Sequence, residues 1–229
     1  MTRYFVGLDL GQAADYTAIS AIEVHPTPYP VQHEDRDPET RRLRTFETVV
    51  ESIPLTHHVR HLERLPIGTP YPEQVARVKE IMARLPPGTD LIVDNTGVGR
   101  AVTDMLFLEG LMPVCVTITG GDTVNRDGPY FRVPKRDIVG ELAVSLQNKR
   151  LKIAAALPDA ETLINELLAF KVKVNLKTAH DSYEAWREGD HDDLVLSVGM
   201  AVWAATWYYG QQTGDDIVVI DEPVSISPV

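Results

Sequence analysis

Two short apolar runs in this chain each end on an aspartate: Phe5-Val6-Gly7-Leu8 leads into Asp9, and Leu91-Ile92-Val93 leads into Asp94. Apolar runs this short, bounded by turn residues, read as strands buried in a sheet. A bare carboxylate on such a strand is expensive to bury unless it is paired or bound to a metal ion. The first run is followed by the turn Gly11-Gln12-Ala13-Ala14-Asp15, and the second by Asn95-Thr96-Gly97-Val98-Gly99, a glycine-rich turn into a helix. Each aspartate has an ordinary alternative role, Asp9 as a turn cap and Asp94 as a helix N-cap. Whatever fold forms must bring two acidic strand ends to a place that accepts them.

The rest of the pattern supplies the neighbours of those strands. Tyr4–Leu10 and Thr17–Glu23 read as a hairpin. His25 to Arg44 mixes prolines, histidines and both charge signs without an apolar period, which predicts a loop before a third strand at Thr45–Ile53. Tyr71 to Leu85 spaces Val75, Val78, Ile81, Met82 and Leu85 as a helix, and Pro86-Pro87-Gly88 stops it. A helix over Val98–Leu108 and a strand over Pro113–Thr119 then make a βαβ unit. Gly120 to Val133 is expected to be a loop. Helices are expected over Pro134–Asn148 and Leu163–Phe170, a half-exposed strand over Lys171–Thr178, and a strongly apolar helix from Asp192 to Tyr209. At 229 residues the chain suits one domain, 1–209, with a tail over 210–229. Three antiparallel strands followed by parallel ones specify an α/β fold of RNase H-like order, a mixed five-stranded sheet flanked by helices.

A third acidic element precedes the last helix, in Gly189-Asp190-His191-Asp192-Asp193-Leu194. The helix dipole accounts for one acidic residue in a first turn. It does not account for three within four positions beside a histidine. Two strand-end carboxylates and a helix-start pair can meet at one edge of a sheet, where open α/β sheets bind ligands. Oxygen-only ligands suit Mg2+ or Mn2+, and neither the single cysteine nor the isolated histidines offer a zinc site. Two such ions, with Asp9 bridging, would activate a water and stabilise a leaving oxygen at phosphorus. His191 could orient a carboxylate or shuttle a proton, or simply cap the helix. Cys115, within Val114-Cys115-Val116, reads as a buried structural thiol.

The net charge of -11 argues against sequence-independent wrapping of nucleic acid, which draws its affinity from Lys and Arg. Carboxylates that hold metal ions carry the same sign, so the global charge does not exclude DNA. No apolar run reaches the ~18 residues of a membrane span and no signal-peptide pattern opens the chain, so a cytoplasmic protein without a membrane partner is expected.

Gly7-Leu8-Asp9, Val93-Asp94-Asn95-Thr96-Gly97-Val98-Gly99, Val133-Pro134-Lys135-Arg136-Asp137 and His191-Asp192-Asp193-Leu194 occur in an order that resembles the nuclease domain of tailed-phage large terminases. The resemblance runs from about Tyr4 to about Tyr208. It implies a divalent-metal-dependent endonuclease that cuts double-stranded DNA during genome packaging, with Asp9, Asp94 and one or both of Asp192 and Asp193 as metal ligands. It also implies a basic residue near the site at Lys135, and as partners a packaging ATPase, a small terminase or a portal protein. Arg136, Lys173 and Lys177 are further candidates for phosphate contact. No G-x-x-x-x-G-K-[ST] string occurs, so translocation is not expected of this polypeptide. Other readings are an actin-like or sugar-kinase-type ATP-binding fold, suggested by Gly7 to Gln12, a Holliday-junction resolvase, or an inactive scaffold of the packaging apparatus.

Overall fold

The two strands that end on aspartates lie side by side at the centre of a mixed sheet. The computed structural model describes residues 3–11, 15–36, 40–97, 99–176 and 192–212. Its strands are β1 (Arg3–Asp9), β2 (Thr17–Arg36), β3 (Leu43–Leu65), β4 (Asp90–Asp94), β5 (Val114–Thr119), β6 (Asn125–Asp127), β7 (Tyr130–Pro134) and β8 (Leu151–Ile153). They form one eight-stranded sheet in the order β6-β7-β5-β4-β1-β2-β3-β8. β1, β2 and β3 are antiparallel, β4 is parallel to β1, β5 to β4 and β7 to β5. This arrangement is consistent with an RNase H-like core, and among the described residues the expected five strands are corrected to eight by β6, β7 and β8.

Three other expectations are also corrected. The predicted loop over His25 to Arg44 is largely strand, because β2 runs to Arg36 and pairs there with Leu43 of β3. Pro26, Pro28 and Pro30 recur at every second residue of β2. Their missing N–H groups therefore fall on one edge of the strand, a position that tolerates proline. Within Gly120 to Val133, a turn at Gly128 (φ 57) joins β6 to β7, and β7 buries Phe131 and Val133 against the core. The strand expected at Lys171–Thr178 is instead helical as far as Leu176. Val172 and Leu176 are also four apart, so helix and strand periods compete there, and the helix already running through Leu167 continues.

Helices cover both faces of the sheet. On one face, α1 (Tyr71–Arg84) and α2 (Gly99–Leu108) pack Val75, Val78, Ile81, Val102 and Leu106 against Val6, Leu8, Leu91 and Val93. On the other, α3 (Lys135–Gln147), α4 (Ala160–Leu176) and α5 (Asp193–Gln212) pack around Phe5, Ile92, Val116 and Phe131. β1 and β4 thus alternate faces with a period of two, and both faces are apolar because both are covered. Cys115 is buried and its thiol is pushed up to about 11 by that burial, which agrees with a structural role. Among the described residues, no helix is long and apolar enough to cross a membrane.

α5 is apolar nearly all round, as a helix sunk in a core must be. It crosses β1 at very short range. A Cβ placed on Gly7 would lie 1.9 Å from the carbonyl oxygen of Ser197, and the Ser197 hydroxyl donates to the Gly7 carbonyl at 2.8 Å. That hydroxyl also bonds Ser20 Oγ of β2 at 2.8 Å. The obstruction at Gly7 is backbone, so no rotamer change relieves it. Gly7→Ala is expected to lower the stability to urea by roughly 3 kcal/mol or more, the upper range for overpacking. A loss under about 1 kcal/mol would show that α5 sits further from the sheet.

Candidate functional site

Asp9 and Asp94 end neighbouring parallel strands in matching register, since Leu8 pairs with Val93 immediately before them. Alternation places both on the face covered by α5: Phe5 and Ile92 lie in that layer, whereas Leu8 and Val93 lie in the other. Asp94 is 5% exposed, and its Oδ1 accepts the backbone N–H of Thr96 at 2.8 Å, a local turn that holds the carboxylate at the strand end. The turn is tied to β5 by Asn95 N–H to the Val116 carbonyl at 2.7 Å and Ile118 N–H to Thr96 Oγ1 at 3.1 Å. A Cβ on Gly99 would meet the Asp94 carbonyl oxygen at 2.2 Å, so α2 starts as close to the strand end as its backbone permits.

The start of α5 reaches the same edge. Tyr208, near its far end, receives a hydrogen bond from Arg3 Nη1 at 3.0 Å and meets Phe5 edge to face at 6.0 Å, while Ser197 lies over Gly7. The helix therefore runs antiparallel to β1. One turn before Ser197 it brings Asp193, and before that Asp192, toward the end of the strand that carries Asp9. Asp192 is the N-cap, its carbonyl accepting the Leu196 N–H at 2.9 Å, and Asp193 is 7% exposed. The four aspartates come from three separate elements, and the strand register and the direction of α5 turn them toward one edge of the sheet.

Two residues without a role in the sequence reading complete this edge. Glu166 of α4 accepts the Val195 N–H at 3.0 Å and so caps α5 from outside the helix. Arg64, near the end of β3, pairs with Glu166, lies 3.6 Å from Asp193 and stacks 4.9 Å over the Tyr16 ring. Burial pushes the Glu166 carboxyl up to about 7, aided by Asp193 and Asp192 and opposed by Arg64 and the Val195 N–H. No short sequence motif marks either residue; the courses of β3 and α4 bring them here.

Of the basic candidates, Lys135 and Arg136 open α3, directly after β7. β7 is parallel to β5, β4 and β1, so this helix start lies on the same edge as the aspartates, roughly 14 Å from β1 at about 4.8 Å per strand. Arg136 is exposed and pairs with Asp122 at 2.6 Å. Lys173 lies on helix α4 and not on an alternating strand, which removes the expected row of lysines on one strand face. Lys177 and His191 lie outside the described residues.

His25 and His58 are not isolated from each other, contrary to the expectation of scattered histidines. Among the described residues, Glu23, His25 and His58 present donor atoms that all lie within 4.8 Å of one another, a cluster able to hold a divalent ion. Glu23 pairs with Tyr4 and Asp9 with Ala18, so the cluster is five residues, about 17 Å, from Asp9 along the strand. It also lies on the opposite face, since Val24 and Val59 beside it belong to the α5 layer.

Because the Glu166 carboxyl is raised when folded, its proton is favoured by folding. The stability it contributes is complete below its ordinary range near pH 4.5 and is lost as pH rises to about 7. In EDTA, Glu166→Gln should gain on the wild type by on the order of 2 kcal/mol between pH 4.5 and pH 8 in urea unfolding. A difference that stays flat or falls over that window would contradict the assignment.

No family model and no curated protein matches the sequence. Among solved structures, the chain is similar to the large terminase nuclease from thermophilic phage G20c, at 19% identity and a TM-score of 0.48, over 87% of this chain and 81% of that one. It is similar to the human cytomegalovirus terminase nuclease domain at 10% identity and a TM-score of 0.49, over 92% of this chain and 86% of that one. A second structure of that domain, Mn soaked and inhibitor bound, gives 14% identity and a TM-score of 0.41, over 82% and 87% of the two chains. At these identities and scores the likeness is one of overall shape, and it carries no chemistry to this chain.

Proposed function

We propose that this chain is a divalent-metal-dependent endonuclease of double-stranded DNA, with Asp9, Asp94, Asp192 and Asp193 as its ligand set. The observations that support the reading are the Leu8–Val93 register, which ends β1 and β4 side by side on Asp9 and Asp94, and the antiparallel seat of α5 over Gly7, which directs its first turn toward the same edge. An oxygen-only donor set of this charge fits Mg2+ or Mn2+ and does not favour a softer ion. A pair of such ions, when bound, supplies an activated water and stabilises the leaving oxygen.

The chain's own residues do the positioning. The Thr96 N–H holds one oxygen of Asp94 and so sets the direction of the other. Arg64 offsets the charge of Asp193 and Glu166, and Glu166 in turn holds the first turn of α5 in place. Lys135 and Arg136, which open α3 on the same edge, are the proposed contacts to DNA phosphates, and each such contact would make binding fall with salt. A packaging ATPase or portal protein as partner belongs to the same proposal.

Purified protein is expected to cut duplex DNA with Mn2+ or Mg2+ and to be silent in EDTA. Asp9→Asn should reduce cleavage by on the order of a hundredfold or more, the scale of losing a metal-site group. Its melting temperature in EDTA should hold or rise, because one of several like charges is removed at constant volume. The stabilisation that Mn2+ gives the wild type should disappear with it. An aspartate with only a structural role would give the reverse pattern, a lower melting temperature in EDTA and surviving cleavage. Lys135→Ala is expected to weaken DNA binding and flatten its salt dependence while the Mn2+ stabilisation stays intact; unchanged DNA affinity would remove Lys135 from the interface.

A further inference from the structure

We propose that Glu23, His25 and His58 form a separate site for a borderline divalent ion of the Zn2+ class, and that this ion pins the base of the β2–β3 hairpin. β1 pairs with β2 only as far as Val24, and β8 pairs with β3 only over His57–Val59. Beyond these points, among the described residues, the two strands pair with each other alone, out to Arg36 and Leu43. The register shifts between Pro26 and Thr27, immediately past His25. A two-stranded ribbon is marginal by itself in water. The cluster stands where that ribbon leaves the sheet, with Glu23 and His25 on β2 and His58 on β3 directly opposite Glu23. An ion held by all three would join the strands at the point where support from the sheet ends.

The geometry suits a small tetrahedral ion. Bonds of about 2.0–2.1 Å place the ligand atoms of a tetrahedral zinc site about 3.4 Å apart. His25 Nε2 and Glu23 Oε1 are already 3.5 Å apart, and the His25 and His58 rings lie with centroids 4.5 Å apart. The second oxygen of Glu23 is held by Arg60 Nε at 2.5 Å, which turns Oε1 toward His25, and the Tyr4 hydroxyl lies against the same carboxylate. Such outer contacts orient ligands in metal sites. Two imidazoles and one carboxylate are the donors that zinc accepts with a fourth position open, and they are a poor match for Mg2+. Arg60 Nη2 lies 3.4 Å from His58 Nδ1, at the long limit of a hydrogen bond, so the imidazole can be given up to an ion while Nε of this half-exposed guanidinium keeps its hold on Glu23.

This site is independent of the nuclease proposal, and one set of variants separates them. The full chain is titrated with Co2+, followed by its visible d–d absorption, and then with Zn2+ as competitor. The bands should appear, be displaced by Zn2+ and resist excess Mg2+, both in the wild type and in Asp9→Asn/Asp94→Asn. His25→Gln and His58→Ala should each weaken Co2+ binding by about tenfold or more. His25 is 37% exposed, so its replacement by Gln leaves the core untouched and keeps the test valid where His58→Ala folds poorly. Unchanged affinity and spectrum in His25→Gln, or bands lost in Asp9→Asn/Asp94→Asn, would overturn the proposal.

Discussion

The contact between the backbone of α5 and the backbone of β1 at Gly7 sets the geometry of the rest. Helices usually stand off a sheet by the length of the side chains between them. Here the Ser197 carbonyl occupies the space where a Cβ would be, and the Ser197 hydroxyl bridges Gly7 and Ser20. A helix held so closely cannot slide or rotate without breaking those bonds. Its first turn, four residues earlier, is consequently fixed in height above the strand ends. Raised to ordinary spacing, Asp192 and Asp193 would be carried away from the edge where Asp9 and Asp94 end.

Gathering carboxylates in this way costs stability through their mutual repulsion, and the chain answers it locally. Asp94 is held by a backbone N–H, and Asp193 and Glu166 face the Arg64 guanidinium. Glu166 responds to burial and to its acidic neighbours by holding its proton more tightly. The second cluster follows different chemistry. Glu23, His25 and His58 mix nitrogen and oxygen donors, lie on the opposite face, and stand about 17 Å along the strand from Asp9. The two proposals thus put a hard oxygen-rich edge and a softer imidazole site on one sheet.

Much of the central sheet was legible because its signals are local and strong. Phe5 to Asp9 and Leu91 to Asp94 are apolar runs with abrupt acidic ends, and the helices around Val78, Leu106 and Leu142 show clear periods. The failures came where local signals mislead. Prolines at 26, 28 and 30 mark a loop by composition, yet their two-residue spacing fits one edge of a strand. The lysines from 171 alternate like a strand while the helix begun at Ala160 runs on through Leu176. Glu166 and Arg64 stand about a hundred residues apart in sequence, and nothing near either one marks it. His25 and His58 looked isolated because cross-strand pairing of two long strands, invisible in local pattern, is what unites them.

The central claim is that the carboxylates at the sheet edge, and not the histidine cluster, hold the ions that serve phosphodiester chemistry. Crystals soaked in Mn2+ and recorded at the manganese absorption edge test it directly, because anomalous scattering locates the ion without reference to activity. The account predicts anomalous density between Asp9 and Asp94, within bonding distance of Asp192 or Asp193. Density confined to Glu23, His25 and His58, or none at the edge at saturating Mn2+, would contradict it.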